Sequence, residues 1–400
     1  MSIDEVVAPP QYTTREMEQR APTVLQMLSR LDQGGGARVA IDLSAALVEA
    51  GGRAFIAYDT GGHIHELTRN GIVPIEMKLG NRNPITGFGT ARRLARFVEE
   101  NGIDVLHAQN ASLATIGYAA ASKAGCKLVT TFHDGPGSVR SLSKRSKAAF
   151  ANSDHVVALS TLVANEINLL LAPLRGKISV VPFGVDLTRF DPMQVTAHRV
   201  VQLAKQWRVP DDLPVVMLPA RFHRSKGHGL LLEALGLIRD LDLRCILVGA
   251  DPDGGAFRQQ LEKDIVQHEL TDRVMLAEEC RDMAAALMLA DVVVAPYLEP
   301  ATYNRVVIEA QALGRPVVAT DFPNARELLD GSSMAWLTPP NDPMALGWAI
   351  RDALSLPFEE REARTEQVIQ NLRSRSGRDL MCRSILDVYW HLMPAAAVAA

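Results

Sequence analysis

Cysteine is scarce: the 400 residues hold four, Cys126, Cys245, Cys280 and Cys382, and no two form a CxxC pair. Thiols this widely spaced supply neither a disulfide framework nor a zinc site, and Cys126 and Cys245, in or beside apolar runs, read as buried thiols. Long apolar runs are missing too. No window reaches the roughly 18 consecutive apolar residues of a membrane span. Residues 1–20, polar and acidic with Pro9 and Pro10, lack the apolar core of a signal peptide. The expectation is a reducing, cytoplasmic setting, with the alanine-rich residues 395–400 as a frayed tail. Neither sign of charge dominates. A formal net charge of -4 excludes a general polyanion-binding role and leaves any basic surface local.

What is present is the composition of a soluble globular chain, 47% hydrophobic and 22% charged, at a length that suits two α/β cores better than one. Short apolar, β-branched runs alternate with amphipathic helical stretches. Strands are expected at 23–28, 53–58, 73–79, 105–108, 127–132, 155–159 and 178–182, with helices between them, such as 37–50, 89–101 and 113–124. After turn-rich segments near 184–192 and 209–212 the series restarts, with strands at 215–218, 245–248, 274–276, 292–296, 317–319 and 335–337. Continuous apolar strands separated by helices imply parallel sheets covered on both faces. The fold class is therefore α/β, as two Rossmann-like doubly wound domains, 1–192 and 193–376. The apolar helix expected at about 377–393 must bury its surface, and packing back on the first domain would do so. Ligands of such sheets bind at the carboxyl ends of strands, and two facing domains would place that crevice between them.

Several residues at strand ends could carry chemistry. Gly34, Gly35 and Gly36 lie between a strand and a helix, where backbone N–H groups can approach a phosphate or an acceptor; a simple tight turn explains them equally. His133 ends an apolar strand, the position of a ligand contact or of a histidine bonded to nearby backbone. Arg221 and Lys226, in a strand–loop–helix with Gly227 at the turn, suit a diphosphate, the arginine bidentately and the lysine as a point charge; a solvated loop is the alternative. Glu309, within an apolar helix, could accept both hydroxyls of a ribose or be an exposed glutamate favoured by the helix dipole. Arg140, Lys144, Arg145 and Lys147 form a basic cluster that would suit anionic lipid or a phosphorylated acceptor, or be a solvated helix face.

Taken in order, these residues resemble the family-4 glycosyltransferases, the retaining GT-B group that includes lipopolysaccharide-core and polysaccharide enzymes. The resemblance rests on Gly34-Gly35, His107-Ala108, Thr131-Phe132-His133, Pro182-Phe183-Gly184-Val185-Asp186 with Phe190, Arg221…Lys226-Gly227, Val248-Gly249 and Ala290-Asp291-Val292. It continues through Glu309-Ala310-Gln311-Ala312-Leu313-Gly314-Arg315-Pro316 and Glu327. It implies two Rossmann-like domains facing a central cleft and a nucleotide-sugar donor, UDP- or GDP-linked. Arg221, Lys226, Glu309, Arg305 and Gly249 would bind the donor. His133 would lie beside the transferred sugar, and the glycine loop near the phosphate or acceptor. No cofactor or metal is implied, since cations and helix N-termini would neutralise the leaving diphosphate. The acceptor would be a polysaccharide or a lipid-linked glycan in lipopolysaccharide or capsule synthesis, with peripheral contact to the inner membrane through the basic cluster.

The sequence also departs from that pattern. The family usually carries a glutamate eight residues before the one matching Glu309, and Ala301 stands there. Glu299 and Asn304 are the polar residues beside it that could touch the sugar. Ala37 replaces a glutamate often seen after the glycine pair, and Pro323-Asn324 replaces a glycine pair before Glu327. A degenerate GT-B protein that binds a nucleotide or glycan without transfer, as a partner in an assembly complex, is the competing reading. A nucleotide-sugar epimerase fits less well, because it needs carboxylates where this chain has lost them.

Overall fold

The computed structural model describes residues 20–31, 35–62, 64–79, 84–133, 135, 137–171, 174, 176–251, 255–278, 280–300 and 304–393. The chain divides into two units, Met1–Gly184 with Arg378–Ala400, and Val185–Gly377.

Among the described residues the first unit is built on seven strands: β1 (Thr23–Leu31), β2 (Arg53–Gly61), β3 (Val73–Glu76), β4 (Val105–Ala108), β5 (Lys127–Phe132), β6 (His155–Ala158) and β7 (Ile178–Val180). They lie in the order β3-β2-β1-β4-β5-β6-β7, every pair parallel. The second holds β8 (Val215–Pro219), β9 (Arg244–Val248), β10 (Val274–Ala277), β11 (Val292–Ala295), β12 (Val317–Thr320) and β13 (Ala335–Thr338), in the order β10-β9-β8-β11-β12-β13, again all parallel. Each sheet reverses its order beside the first strand of its series, the doubly wound arrangement the alternating pattern implied. Four strands differ from their expected lengths by two residues or more: β1 and β2 are longer, and β3 and β7 shorter. β1 runs on to Leu31 because Arg30 and Leu31 pair with Thr60 and Gly61. β3 stops at Glu76, where its pairing with Tyr58 of β2 ends.

Both sheets are clipped in the same way at their amino edge. Asp104, just before β4, accepts the Thr23 N–H of β1 at 2.8 Å; Asp154, before β6, accepts that of Leu128 at 2.9 Å; Asp291, before β11, accepts that of Val215 at 2.8 Å. A carboxylate pairing with an otherwise open backbone donor sets where neighbouring strands begin. Helix starts are fixed comparably. Asn110 caps the helix Ala111–Ala124 by accepting from Leu113 N, and Gly125 closes it at φ 73°.

Leu25, Met27, Leu106, Ala108 and Phe132 join helix residues such as Leu94 and Leu113 in the first core. Burial of each large side chain contributes about 1.5–3 kcal/mol. The C-terminal helix Arg378–Leu392 belongs to this unit. It buries Met381, Cys382, Ile385, Leu386, Val388 and Tyr389 and packs against the helix Gly35–Glu49. The division between units falls at Gly184/Val185, ahead of the 192/193 boundary read from the sequence pattern. Val185 forms a parallel bridge with Gly377, and Val185, Phe190 and Val195 enter the second core.

All four thiols are free. Cys245 and Cys382 are buried, whereas Cys126, in the turn before β5, is only half-buried and departs from the expectation for it. Among the described residues no helix is long and apolar enough to cross a membrane.

Candidate functional site

In the second unit the loops after β8, β9 and β11 are pressed together at the carboxyl edge of the sheet. Gly227 has φ +74°, and a Cβ there would lie 1.8 Å from the Pro296 carbonyl oxygen; one on Gly249 would lie 2.0 Å from that of Ala220. No side chain fits at either position, so these glycines set how closely the loops approach. Leu298 N–H donates to Ser225 O at 3.0 Å and Phe222 N–H to Ala250 O at 2.9 Å, tying the same loops.

Lys226 follows from that arrangement. Its ammonium sits 4.0 Å from the ring centroid of Tyr297. Burial lowers its pKa first, the charge of Arg221 lowers it further, and Glu299 opposes both. A half-buried ammonium beside a second cation gains most from an anion between them. Arg221 and Glu299 are exposed. Tyr297 is buried, and its hydroxyl donates to Asn304 Oδ1 at 3.2 Å, so Asn304 is held beneath the loop rather than displayed on it.

Glu309 lies in the second turn of the helix Arg305–Ala312 and is 4% exposed, which removes the reading as an exposed first-turn glutamate. Burial raises its pKa, while Arg305 and Arg189 pull it down, and Arg305 Nε donates to Oε1 at 2.8 Å. Arg305 is therefore engaged with Glu309 through Nε, a pairing that the spacing of four residues permits. Ala301 lies outside the described residues, as do Thr302 and Tyr303.

In the first unit His133 stands just past the end of β5. Its ring stacks on Phe183, centroids 5.2 Å apart and planes 28° apart, and its Nε2 meets Gln109 Oε1 at 2.7 Å. Burial lowers its pKa to about 4, so the imidazole is neutral at pH 7. A Cβ on Gly36 would lie 3.8 Å from His133 Cε1 and Nε2, and one on Gly35 3.9 Å from the Phe183 ring. The glycines that open the first helix thus run alongside the stacked pair. Gly34 lies outside the described residues. Ala37, the departure from the family pattern, is buried in the helix.

Sequence reasoning gave no role to the polar residues behind His133. Gln26 and Gln109 are buried, as are Tyr389 and His107. The available signal was a glutamine in the middle of the apolar run 23–28 and a histidine in 105–108, since polar groups buried in strands require partners. Arg140, Lys144 and Arg145 are exposed, and Lys147 Nζ donates to the Arg140 carbonyl at 3.0 Å. The helix Lys144–Ala151 buries Ala149 and Phe150 on its other side.

Comparison with known proteins agrees with this architecture. Residues 33–189 match the family described as Glycosyltransferase Family 4, and residues 213–355 match Glycosyl transferases group 1. A D-inositol 3-phosphate glycosyltransferase of Xylanimonas cellulosilytica is 28% identical over 305 residues, covering 72% of each chain. The putative colanic acid biosynthesis glycosyltransferase WcaL of Escherichia coli is 28% identical over 247 residues, covering 58% of this chain and 57% of its own. Among solved structures, a glycosyltransferase from Rickettsia africae superposes with a TM-score of 0.85 at 24% identity, over 94% of this chain and 99% of that one. Anabaena HepE in complex with UDP-glucose gives 0.78 at 20% identity, over 92% and 98%. Both are likenesses of fold. With its two parallel-sheet Rossmann-like units the chain has the GT-B fold, and it carries a family-4 glycosyltransferase match followed in series by a group-1 glycosyltransferase match.

Proposed function

We propose that the chain transfers a sugar, with retention, from a UDP- or GDP-sugar to a polysaccharide or lipid-linked acceptor in cell-envelope glycan synthesis. The observation that carries this reading is Lys226, held over Tyr297 beside Arg221, on the same sheet edge as the buried carboxylate of Glu309. Arg221 and Lys226 would neutralise the diphosphate as it leaves, the step at which negative charge grows fastest. Glu309, its carboxylate oriented by Arg305, would accept the ribose hydroxyls. His133 would contact the transferred sugar, and Gly35 and Gly36, with Gly34, would let the acceptor or phosphate approach backbone N–H groups. Departure of the diphosphate would leave an oxocarbenium-like centre, attacked by the acceptor hydroxyl on the same face. Cationic side chains take the role a metal would have, so the proposed reaction needs no cofactor. The envelope assignment draws on the likeness to the colanic acid enzyme and on a fold likeness to WaaG, a glycosyltransferase involved in lipopolysaccharide biosynthesis, with a TM-score of 0.71 at 14% identity.

The test is a thermal-shift screen with UDP-, GDP-, ADP- and CMP-sugars and the free nucleotides, with and without EDTA. A ligand that binds the folded state alone raises the melting temperature by mass action. One nucleotide class, larger for one of its sugars and indifferent to EDTA, is expected; no shift with any ligand overturns the reading. The anomeric configuration of the product, read by NMR, then decides retention. Ala301 motivates a second reading, binding without transfer. Under it the wild type turns over no donor and Ala301→Glu gains activity; robust wild-type turnover ends it. The site of action would be the cytoplasmic side of the inner membrane, touched through Arg140, Lys144, Arg145 and Lys147. Sedimentation with anionic liposomes at low salt checks that contact.

A further inference from the structure

The polar groups behind His133 form one continuous chain of hydrogen bonds through the core of the first unit. Gln109 Oε1 meets His133 Nε2 at 2.7 Å, and Gln109 Nε2 donates to Gln26 Oε1 at 2.7 Å. Gln26 Nε2 donates to the Tyr389 hydroxyl at 2.9 Å. That hydroxyl lies 2.5 Å from His107 Nδ1, and His107 Nε2 lies 2.7 Å from Thr131 Oγ1. Gln26, Gln109, His107, Thr131 and Tyr389 are buried; only His133 keeps partial access to solvent.

The chain has a direction. An amide oxygen only accepts, so Gln109 Oε1 takes the proton of His133 Nε2, and His133 Nδ1 is left as an acceptor. The Tyr389 hydroxyl, having received the Gln26 amide, gives its own hydrogen to His107 Nδ1. His107 then carries its proton on Nε2 and donates to Thr131. Reversing one link alone would leave a buried donor unpaired or set two like groups together, which costs about 1–3 kcal/mol. The links can therefore reverse only together, and each of the two directions dictates the tautomer of both histidines. Burial keeps both rings neutral, His133 with its pKa lowered to about 4 and His107 to about 3, so neither relieves a mismatch by taking a second proton. Phe183 meanwhile fixes the plane of the His133 ring.

A core that needed only packing would have apolar side chains here, because a buried polar chain gains little net stability even when fully satisfied. This one ends on the single accessible member. We propose that Gln26, Gln109 and Tyr389 are positioning residues that hold His133 as the Nε2–H tautomer. Its Nδ1 is then available to accept a hydrogen bond from a sugar hydroxyl. The C-terminal helix thus contributes to the site through Tyr389, although it contains no residue expected to touch substrate. The hydroxyl as ligand rests on the glycosyl-transfer reading above; the tautomer does not.

The two are separated by a measurement that needs no substrate. Long-range 1H–15N correlation spectra of the full chain labelled at histidine report which ring nitrogen carries the proton, with His133 assigned through His133→Gln. The wild type is expected to show His133 and His107 as Nε2–H. Tyr389→Phe and, as a second variant, Gln109→Leu are each expected to leave His133 a mixture of tautomers. Each should also lower kcat about tenfold, the weight of one hydrogen bond, with the donor KM within about twofold. A wild-type His133 protonated on Nδ1, or a tautomer unchanged in both folded variants, overturns the proposal. Shifted tautomers in a chain that turns over no nucleotide sugar would uphold the positioning and sink the transferase reading instead.

Discussion

Glu309 and Lys226 stand on one sheet edge, and burial pushes each of them toward its neutral form. Arg305 and Arg189 counter that push on Glu309, while Glu299 alone counters it on Lys226. The lysine is thus the less compensated of the two and should depend most on an anionic ligand. Lys226→Ala is expected to weaken donor binding by about 1.5–3 kcal/mol, roughly ten- to a hundredfold in Kd, since a charge-assisted contact carries that weight. Titration calorimetry with the nucleotide identified by the screen checks it, and an unchanged Kd would remove Lys226 from the diphosphate site. At this scale the sequence was informative about residue type and uninformative about company. Strand-then-loop spacing placed Lys226 and Arg221 together, because the two are neighbours in one loop. It could not show Tyr297 beneath the lysine, because the ring arrives from the loop after β11. Nor could it show that Arg305 is paired with Glu309 and that Asn304 lies under Tyr297.

Elements were the most legible level. Every strand of both sheets was visible as a short, mostly apolar run, because parallel strands covered on both faces are largely apolar. Ends were harder, since pairing rather than composition decides them. β1 gained Leu31 from its partner β2. Caps and clips act at this scale as well. Asn110 satisfies a backbone donor at the start of the helix Ala111–Ala124, so Asn110→Ala should lower unfolding stability by about 1 kcal/mol, measured by urea denaturation. The C-terminal helix is a stronger case. Its removal would expose the apolar face it covers and leave Gln26 and His107 without Tyr389. A chain ending at Gly377 should therefore lose soluble yield and become protease-sensitive across residues 20–184, and wild-type protection there would show the helix to be dispensable.

Over the described residues, four histidines, two buried and two half-buried, share one sign. His107 has its pKa lowered to about 3, and His133, His155 and His228 to about 4, in each case chiefly by burial. A folded-state pKa below the ordinary 6.5 means that the unfolded chain binds more protons in acid. The stability contributed by these neutral rings is therefore complete above about pH 6.5 and is lost as pH falls from there toward about 4. Three of the four rings, His107, His133 and His155, lie in the first unit. Hydrogen exchange between pH 7 and 4.5, corrected for intrinsic rates, should show protection falling further there than across residues 185–377. Equal loss in both would contradict the assignment.

The sequence by itself determined two doubly wound α/β units, their strands and the cationic loop after β8. Hydrophobic periodicity and short-range spacing are local properties, and a reader of the chain recovers them without knowing what packs on what. Tertiary structure alone decided which distant side chains meet. Gln26 and Tyr389 are 363 positions apart and joined by one hydrogen bond at 2.9 Å. Partnerships of that kind leave no period in the sequence. They exist because a buried amide must find a partner wherever the fold brings one, and here the fold brings it from the helix Arg378–Leu392.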